Sequence, residues 1–192
     1  RTTVTSVHFP RPLLGCFRSD IGGDVEPQSV EIVVIGGGPA GLMAAIEAAR
    51  RGRHVAILEA LSEPARKLLA SGGGRCNLTN TMTPDEMASH FPAHSRFVEA
   101  VLRAFTPDDL RSWFQNIGVE THAPDGIRVF PTTHKSTTVV DKLLAETEQL
   151  PIAWEMDCEV SKIVPEEWGF LITAKEGRQF RCGQVVVACG GV

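Results

Sequence analysis

The sequence VVIGGGPAGLMAAIEAARRGRHVAILEA, Val33 to Ala60, predicts a buried strand, a tight glycine turn, a helix and a second strand. Gly36 permits the sharp turn after the first strand. Gly38 lets the backbone approach a ligand with no Cβ in the way, and Gly41 allows close contact between helix and strand. Three glycines at these positions are typical of a βαβ unit that binds a dinucleotide.

The ends of this unit carry two further signals for such a ligand. The helix begins at Pro39 and Ala40, where unpaired amide groups and the positive end of the helix dipole favour a pyrophosphate. Glu59 ends the second strand, 23 residues after Gly36, which is close to the spacing of about 20 typical of a ribose contact. Its carboxylate can accept hydrogen bonds from ribose hydroxyls and would repel a 2′-phosphate. The alternative is a structural βαβ unit without a ligand.

Composition excludes several classes of protein. Of 192 residues, 43% are hydrophobic and 22% charged, and the formal net charge of −4 offers no basic face to nucleic acid or membranes. No apolar run approaches the roughly 18 residues of a membrane-spanning helix. Cysteines stand at positions 16, 76, 158, 182 and 189, without a CxxC pair or zinc-binding spacing. We therefore expect a soluble intracellular protein in a reducing compartment, with no metal site.

Residues 1–28 differ from the rest. They hold three arginines and five Ser/Thr residues, with no acidic residue before Asp20. This bias is typical of an organellar transit peptide, and an ordinary disordered tail explains it equally well. We expect a leader over residues 1–28 and a folded domain over 29–192. The compartment is then the cytoplasm, or an organelle if the leader is a targeting signal.

A second unusual segment is SGGGRCNLTN, Ser71 to Asn80. Three consecutive glycines exclude a regular helix or a central strand, so the segment should form a loop that approaches something closely. Its bare amide groups, together with Arg75 and Asn77, suit phosphate or the polar edge of a flavin ring. The alternative is a flexible surface loop.

Helices and short strands alternate through the remaining chain. Helices are expected over 63–70, 95–105, from an N-cap at Thr106 to Gly118, and over 136–149, with the aromatic residues of this region in the core. A hairpin is expected around residues 124–126. Strands are expected over 152–154, 159–164, 169–174, 179–182 and 184–188. The last of these, with VVVA, predicts a fully buried central strand, followed by a turn at Gly190 and Gly191.

Four segments together resemble the aminoacetone-oxidase-type flavoproteins, a family that includes NAD(P)H-dependent bile-acid-reductase-like members. They are GGGPAGLMAA, ARKLLASGGGRCNLTN, DLRSWFQNIGVETHAPDGIRVFP with THKSTTVVDKLL, and VVVACGG. The resemblance covers about residues 31–191. It implies a Rossmann-like FAD-binding domain of the two-dinucleotide-binding type: a parallel sheet with helices and a small antiparallel β element. It also implies that this is an N-terminal portion, incomplete at its C-terminus, without the substrate domain.

The resemblance also implies roles for individual residues. The first βαβ unit would hold the FAD adenosine and pyrophosphate, and Val160 would contact the adenine through its backbone. A second set would run along the pyrophosphate and flavin side: Lys67, Gly73, Arg75, Cys76 and Asn77, with Gly190 and Gly191 at the last turn. Two departures are Cys189, where the family usually has Thr, and Thr133-His134-Lys135, where it favours Ser-Asp-Lys.

The implied activity is that of an FAD-dependent oxidoreductase. NAD(P)H would deliver a hydride to the flavin, which passes it to a small organic acceptor or to oxygen. No catalytic acid or base is assigned. His122 and His134 are possible proton donors by residue type, and we favour the alternative that they are surface residues without a role, because neither sits in a chemical motif. Cys76 stands alone in residues 70–82, which disfavours a dithiol mechanism. The 192-residue chain by itself is expected to bind FAD weakly or not at all, and to be inactive.

Two other functions remain open at this stage. One is a flavin- or nucleotide-binding module without turnover, and the other is a dehydrogenase that uses NAD alone. The acceptor, the choice between NADH and NADPH, and the oligomeric state do not follow from the sequence.

Overall fold

The computed structural model describes residues 27–191. The expected leader therefore lies outside the described residues, apart from its last two positions. The helices are α1 Pro39–Arg50, α2 Arg66–Ala70, α3 Pro84–Ser89, α4 Ser95–Ala104, α5 Pro107–Asn116 and α6 Ser136–Glu148. The strands are β1 Gln28–Ile35, β2 Val55–Leu58, β3 Thr79–Asn80, β4 Thr121–His122, β5 Arg128–Pro131, β6 Ile152–Glu155, β7 Val160–Glu166, β8 Gly169–Ala174 and β9 Gln179–Val187.

The described chain divides into two compact units. Unit 1 comprises residues 27–65 and 146–191, and unit 2 comprises residues 66–145. The expected folded domain over 29–192 thus contains a Rossmann-type unit, with the second unit inserted in the chain between β2 and β6.

Unit 1 is built on a six-stranded sheet in the order β6-β2-β1-β9-β8-β7. The strands β6, β2, β1 and β9 are parallel, whereas β8 and β7 continue the sheet as an antiparallel meander. Parallel strands need a crossover connection, and α1 supplies it between β1 and β2. The helix buries Leu42, Ala45 and Ile46 completely, as the spacing of its apolar residues predicts. The predicted α/β fold with a parallel sheet is confirmed.

The last strand differs from its prediction in two respects. The two strands expected over 179–182 and 184–188 form one continuous strand, β9, between β1 and β8. Its end is not fully buried, since Val187 is 61% exposed. A run of valines indicates a central position in the hydrogen-bonded sheet, but it does not guarantee that other elements cover both faces.

Unit 2 contains the small antiparallel element, a three-stranded sheet in the order β3-β5-β4. The predicted hairpin is present, and the Asp125 carboxylate closes its turn. Its Oδ1 accepts hydrogen bonds from the backbone N–H groups of Arg128, at 2.7 Å, and of Ile127, at 3.0 Å. These bonds, together with the Arg128 guanidinium, hold the pKa of Asp125 well below its ordinary value.

The helix α4 forms where expected, but its apolar side chains are not in a core. Phe97 is 73% exposed and Phe105, which follows the helix, is 42% exposed, whereas Trp113 and Phe114 of α5 are buried. The prediction that the aromatic residues of this region are core residues is therefore wrong for Phe97 and Phe105. Helical spacing identifies an apolar face, and only packing decides whether another element covers it.

The helix expected over 63–70 is shorter, because α2 begins at Arg66. Ala65 has a φ of +58°, a left-handed conformation that cannot be part of a right-handed helix. Its N–H donates to the Gly37 carbonyl oxygen at 3.0 Å, so tertiary contact to the glycine turn competes with the local helix propensity.

Replacing Thr106 with Ala should lower the free energy of unfolding by about 1 kcal/mol, because Thr106 is the N-cap of α5. Its hydroxyl accepts from the Asp109 N–H at 3.1 Å, and the Asp109 carboxylate accepts from the Thr106 N–H at 2.8 Å. Urea unfolding measures the loss.

Ser112→Ala, on the exposed side of the same helix, is the matched control and should be neutral or slightly stabilising. The hydrogen bonds to Thr106 lower the pKa of the Asp109 carboxyl. The stability that this cap contributes is therefore fully present above the ordinary pKa of an aspartate side chain, and it is lost as the pH falls through the lowered pKa. An equal effect of both substitutions at neutral pH would contradict this account of the cap.

Candidate functional site

The glycine turn after β1 has the geometry that the sequence predicts. Gly36 has a φ of +104°, and its N–H donates to the Leu58 carbonyl oxygen at 2.8 Å. A Cβ at this position would lie 2.7 Å from the carbonyl oxygen of Ala188, just after β9. The turn is therefore pressed against the carboxyl end of the neighbouring parallel strand, and only glycine fits there.

Gly41 and Gly38 have opposite surroundings. A Cβ on Gly41 would overlap the Gly36 carbonyl oxygen, so this glycine allows α1 to pack directly on the turn. Gly38 is extended, with φ −78° and ψ 179°, and no atom lies within 4 Å of the position that its Cβ would take. Gly38 is also the N-cap of α1 and makes no side-chain cap, and Pro39 and Ala40 begin the helix in exposed positions. The uncapped helix N-terminus is open to an anionic ligand.

Glu59 is buried, with 8% of its surface exposed, and both carboxylate oxygens accept backbone hydrogen bonds. Oε2 accepts from the Gly37 N–H at 2.7 Å, and Oε1 accepts from the Leu61 N–H at 2.9 Å. The residue expected to bind ribose thus also fixes the middle of the glycine turn. Each carboxylate oxygen has two lone pairs, so these bonds leave acceptor capacity for ribose hydroxyls.

Trp154 of β6 lies beside the glycine turn, and no sequence motif predicts it as a site residue. A Cβ on Gly37 would lie 2.8 Å from the Trp154 ring and 3.0 Å from Glu59 Oε2. The indole N–H donates to the Thr147 hydroxyl at 3.3 Å, which fixes the ring beside the turn. The available sequence signal for this neighbour is Gly37, the middle glycine of the GGG run, because a glycine at that position indicates that another group packs closely against it.

Two further segments, one that precedes Val160 and one that contains Gly190 and Gly191, contact the same edge of the sheet. The Cys158 N–H donates to the Glu59 carbonyl oxygen at 2.8 Å, which brings the segment before Val160 alongside Glu59. The Ala188 N–H donates to the Ile35 carbonyl oxygen at 2.8 Å, so Gly190 and Gly191 follow β9 at the edge where Gly36 turns. Unit 1 therefore places the glycine turn, Glu59, Gly190 and Gly191 at the carboxyl ends of parallel strands, where α/β sheets bind ligands, and Val160 begins β7 two residues after Cys158.

In unit 2 the glycine loop, Ser71–Asn77, is irregular, as expected. Gly72, Gly73 and Gly74 have φ values of +56°, +64° and +81°, and Cys76 has +60°. No atom lies within 4 Å of a Cβ built on Gly73. Burial raises the pKa of the Cys76 thiol, which disfavours the reactive thiolate and agrees with a close-packing role.

Three polar side chains, those of Lys67, Arg75 and Asn77, lie on or beside this glycine loop. The Asn77 amide nitrogen, in the orientation that satisfies its neighbours, donates to the Val129 and Thr79 carbonyl oxygens at 3.1 and 2.9 Å. It therefore holds the loop on the small sheet. The Arg75 guanidinium lies 5.2 Å from the centroid of the Phe130 ring and is exposed, as is Lys67 on α2.

The two histidines expected on the surface are in contact with each other. The ring centroids of His122 and His134 are 4.6 Å apart, in an edge-to-face arrangement at 81°. His122 is partly buried and its Nε2 is completely so, which makes the surface assignment wrong for this residue. The two residues lie 12 positions apart in the sequence, and the β4–β5 hairpin brings them together.

Two negative findings apply to residues 27–191. No group of three or more His, Cys, Asp or Glu side chains in this part of the chain is placed to hold a metal ion. None of the helices described there has the length and apolar character needed to cross a membrane.

Comparison with known families adds a decisive observation. The family model of the HI0933-like protein Rossmann domain matches residues 30–192, which is most of the chain. The chain belongs to the HI0933-like Rossmann family. The matched residues include both glycine segments and the last strand of the large sheet.

Curated relatives of this HI0933-like chain include two enzymes. It is 29% identical over 162 residues to a ribosomal RNA dihydrouridine synthase of Escherichia coli K12, covering 84% of this chain and 40% of the relative. It is 32% identical over 162 residues to a 3-dehydro-bile acid delta(4,6)-reductase of Clostridium scindens, covering 83% and 39%. The chain thus spans about 40% of these relatives' length. The bile-acid-reductase side of the predicted resemblance is confirmed.

Solved structures share the fold at low identity. A 3-ketosteroid-delta4-(5alpha)-dehydrogenase from Rhodococcus jostii RHA1 superposes with a TM-score of 0.62 at 20% identity, covering 96% of this chain and 49% of that one. A flavocytochrome c3 fumarate reductase in an open conformation gives 0.58 at 20% identity, covering 86% and 34%. These likenesses confirm the Rossmann-type architecture of the HI0933-like chain.

Glu59→Gln should destabilise unit 1 by about 1–3 kcal/mol. The glutamine amide has one oxygen that can accept a hydrogen bond and one nitrogen that can only donate, so one of the two backbone N–H groups loses its acceptor. Urea unfolding of the variant measures this. Glu63→Gln, at an exposed position close by, is the control and should change the free energy of unfolding by less than about 0.5 kcal/mol. Equal stability of the two variants would show that the Glu59 carboxylate does not hold the glycine turn.

Proposed function

We propose that this chain is the cofactor-binding part of an FAD-dependent oxidoreductase, with its adenosine and pyrophosphate site in unit 1. The observation that carries the proposal is the open space at Gly38, next to an uncapped helix N-terminus and the Glu59 carboxylate. Membership of the HI0933-like family and the enzymatic names of its relatives support it.

The residues present fit the adenosine diphosphate part of FAD. Gly38 offers a ligand space that a side chain would fill, and the first amides of α1 face a phosphate at the positive end of the helix. Glu59 keeps acceptor capacity for the ribose. The proposed contacts in unit 1 are Gly36, Gly38, Pro39, Ala40, Gly41, Glu59, Val160, Gly190 and Gly191. In unit 2 they are Lys67, Gly73, Arg75, Cys76 and Asn77.

The chemistry would come from the cofactor, since FAD supplies hydride transfer when bound and the protein positions it. The chain's own residues bind and orient it. Glu59 fixes the glycine turn through Gly37, so the amides of α1 keep a constant direction toward the phosphates. Burial of Glu59 keeps this hydrogen bond away from competing water.

The names of the two relatives suggest one class of acceptor. Formation of dihydrouridine saturates a C=C bond conjugated to a carbonyl group, and a 3-dehydro-delta(4,6) bile acid has C=C bonds conjugated to its 3-keto group. We therefore propose a reductase that uses NAD(P)H to saturate a C=C bond conjugated to a carbonyl. A net charge of −4 favours a small-molecule acceptor over RNA.

Replacing Gly38 with Ala should weaken FAD binding at least tenfold and leave the free energy of unfolding within about 0.5 kcal/mol of wild type. The added methyl group enters space that no protein atom occupies, and its backbone angles are accessible to alanine. Quenching of tryptophan fluorescence in the natural protein measures binding, since Trp154 lies beside the turn.

Gly183→Ala in β9 is the matched control, because its Cβ would make only an ordinary contact of 3.5 Å with the Glu31 carbonyl oxygen. It should leave FAD affinity unchanged. If Gly38→Ala bound FAD as tightly as wild type, the pyrophosphate would not lie at this turn.

The natural protein should be yellow, and NADH or NADPH should bleach it without oxygen. Adding a conjugated carbonyl compound to the bleached protein should then restore the colour. Absorbance at the flavin bands under anaerobic conditions measures both steps. A colourless protein that binds NAD would favour the NAD-only dehydrogenase. A yellow protein inert to nicotinamides, conjugated carbonyls and oxygen would favour the binding module.

A further inference from the structure

Two histidine side chains of unit 2, His122 on β4 and His134 after β5, form what we call the histidine pair. Their centroids are 4.6 Å apart, with one ring edge directed at the face of the other. His122 pairs across the ladder with Phe130, and the His134 ring lies 6.1 Å from the Phe130 ring. Backbone pairing and ring packing therefore both fix the position of the pair.

The backbone at His134 is strained. Its φ is +52°, in the left-handed region, and its N–H donates to the Pro131 carbonyl oxygen at 2.9 Å. Glycine or asparagine would take this turn conformation at lower cost. Strain of this kind in a residue with a reactive side chain is a reason to look for a function.

The inner member of the pair has an unused polar atom. Nε2 of His122 is buried and has no hydrogen-bond partner among the described residues. Buried polar atoms are nearly always paired, so this nitrogen needs a water molecule or a ligand as its hydrogen-bond partner. The outer member, His134, is exposed, so the pair connects a buried nitrogen with the surface.

Other titratable groups at the predicted positions are less suited to proton transfer. Both oxygens of the Glu59 carboxylate accept backbone hydrogen bonds, and burial raises the pKa of the Cys76 thiol. Histidine exchanges protons readily near neutral pH. The guanidinium groups of Arg75 and Arg128 lie over the Phe130 ring, 5.2 and 5.9 Å from its centroid, and arginine is not a proton donor in proteins.

We propose that the histidine pair delivers the proton consumed in the reduction, with His134 as the donor and His122 as its positioning residue. The inference rests on the proposed function. NAD(P)H supplies the two electrons, and the β carbon of the acceptor gains a hydride. The π bond breaks, its electron pair moves to the α carbon, and the proton from the imidazolium N–H of His134 bonds there. Solvent then returns a proton to the neutral imidazole.

The first test follows the two half-reactions separately in the FAD-loaded natural protein by rapid mixing. The variants are His134→Gln and, as a matched exposed histidine of unit 2, His94→Gln. Flavin reduction by NAD(P)H should remain within about twofold of wild type in both. Reoxidation by a 3-oxo-4,6-diene steroid or a uridine oligoribonucleotide should slow at least 100-fold in His134→Gln alone.

The outcomes distinguish a failure of the proposed function from a failure of His134 as the proton donor. If wild-type flavin is reoxidised by neither compound, the proposed function fails, and this inference fails with it. If wild type is reoxidised and His134→Gln is equally fast, the proposed function stands and the proton donor is not His134.

The second test needs no turnover. With ¹⁵N-labelled histidine in the oxidised, FAD-loaded protein, adding the acceptor that reoxidises the wild type should shift the ring nitrogens of His134 and His122 and leave His94 unchanged. His122→Phe retains an aromatic ring and removes the buried nitrogen, and should slow reoxidation about tenfold without affecting flavin reduction. If the His134 resonances do not move, or if His122→Phe shows wild-type kinetics, the histidine pair has a packing role only and the proposal is wrong.

Discussion

The hydrogen bond from the Gly37 N–H to Glu59 Oε2, 2.7 Å long and buried, ties the turn after β1 to the end of β2. Both neighbours of Gly37 depend on this position. Gly36 turns against Ala188, and Gly38 has open space at the position that its Cβ would take. A charged acceptor strengthens a bond to an amide, and burial limits competition from water. The carboxylate that we propose for ribose binding is therefore also a structural part of the glycine turn.

The residues around Glu59 show what could be predicted at the site from the sequence and what could not. The glycine spacing and Glu59 follow from local requirements of turn and helix, so the βαβ unit is predictable from its own residues. Trp154 enters from β6, almost 100 residues later in the sequence than the second strand. Its contact with Gly37 depends on sheet order, which no local pattern in the chain encodes. The His122–His134 contact is similar, since it depends on the register of a hairpin and on a left-handed turn.

The errors in predicting burial share one cause. Phe97 and Val187 are large apolar residues in regular elements, and both are exposed in the described structure. Their periodicity correctly indicates a helix and a strand, because periodicity reflects which residues share a face. Burial requires a second element on that face, and this depends on packing rather than on local pattern. The capping of α5 by Thr106 is predictable for the opposite reason, since all its atoms lie within one turn.

The central claim is that the turn Gly36–Gly41, held by Glu59, binds the pyrophosphate and adenosine of FAD. Hydrogen–deuterium exchange of the natural protein, with and without FAD, tests it most directly. FAD should slow exchange in peptides containing the amides of residues 38–42 and of residues 59–61, relative to the cofactor-free protein. FAD binding that leaves exchange in both segments unchanged, while protecting amides elsewhere, would contradict it.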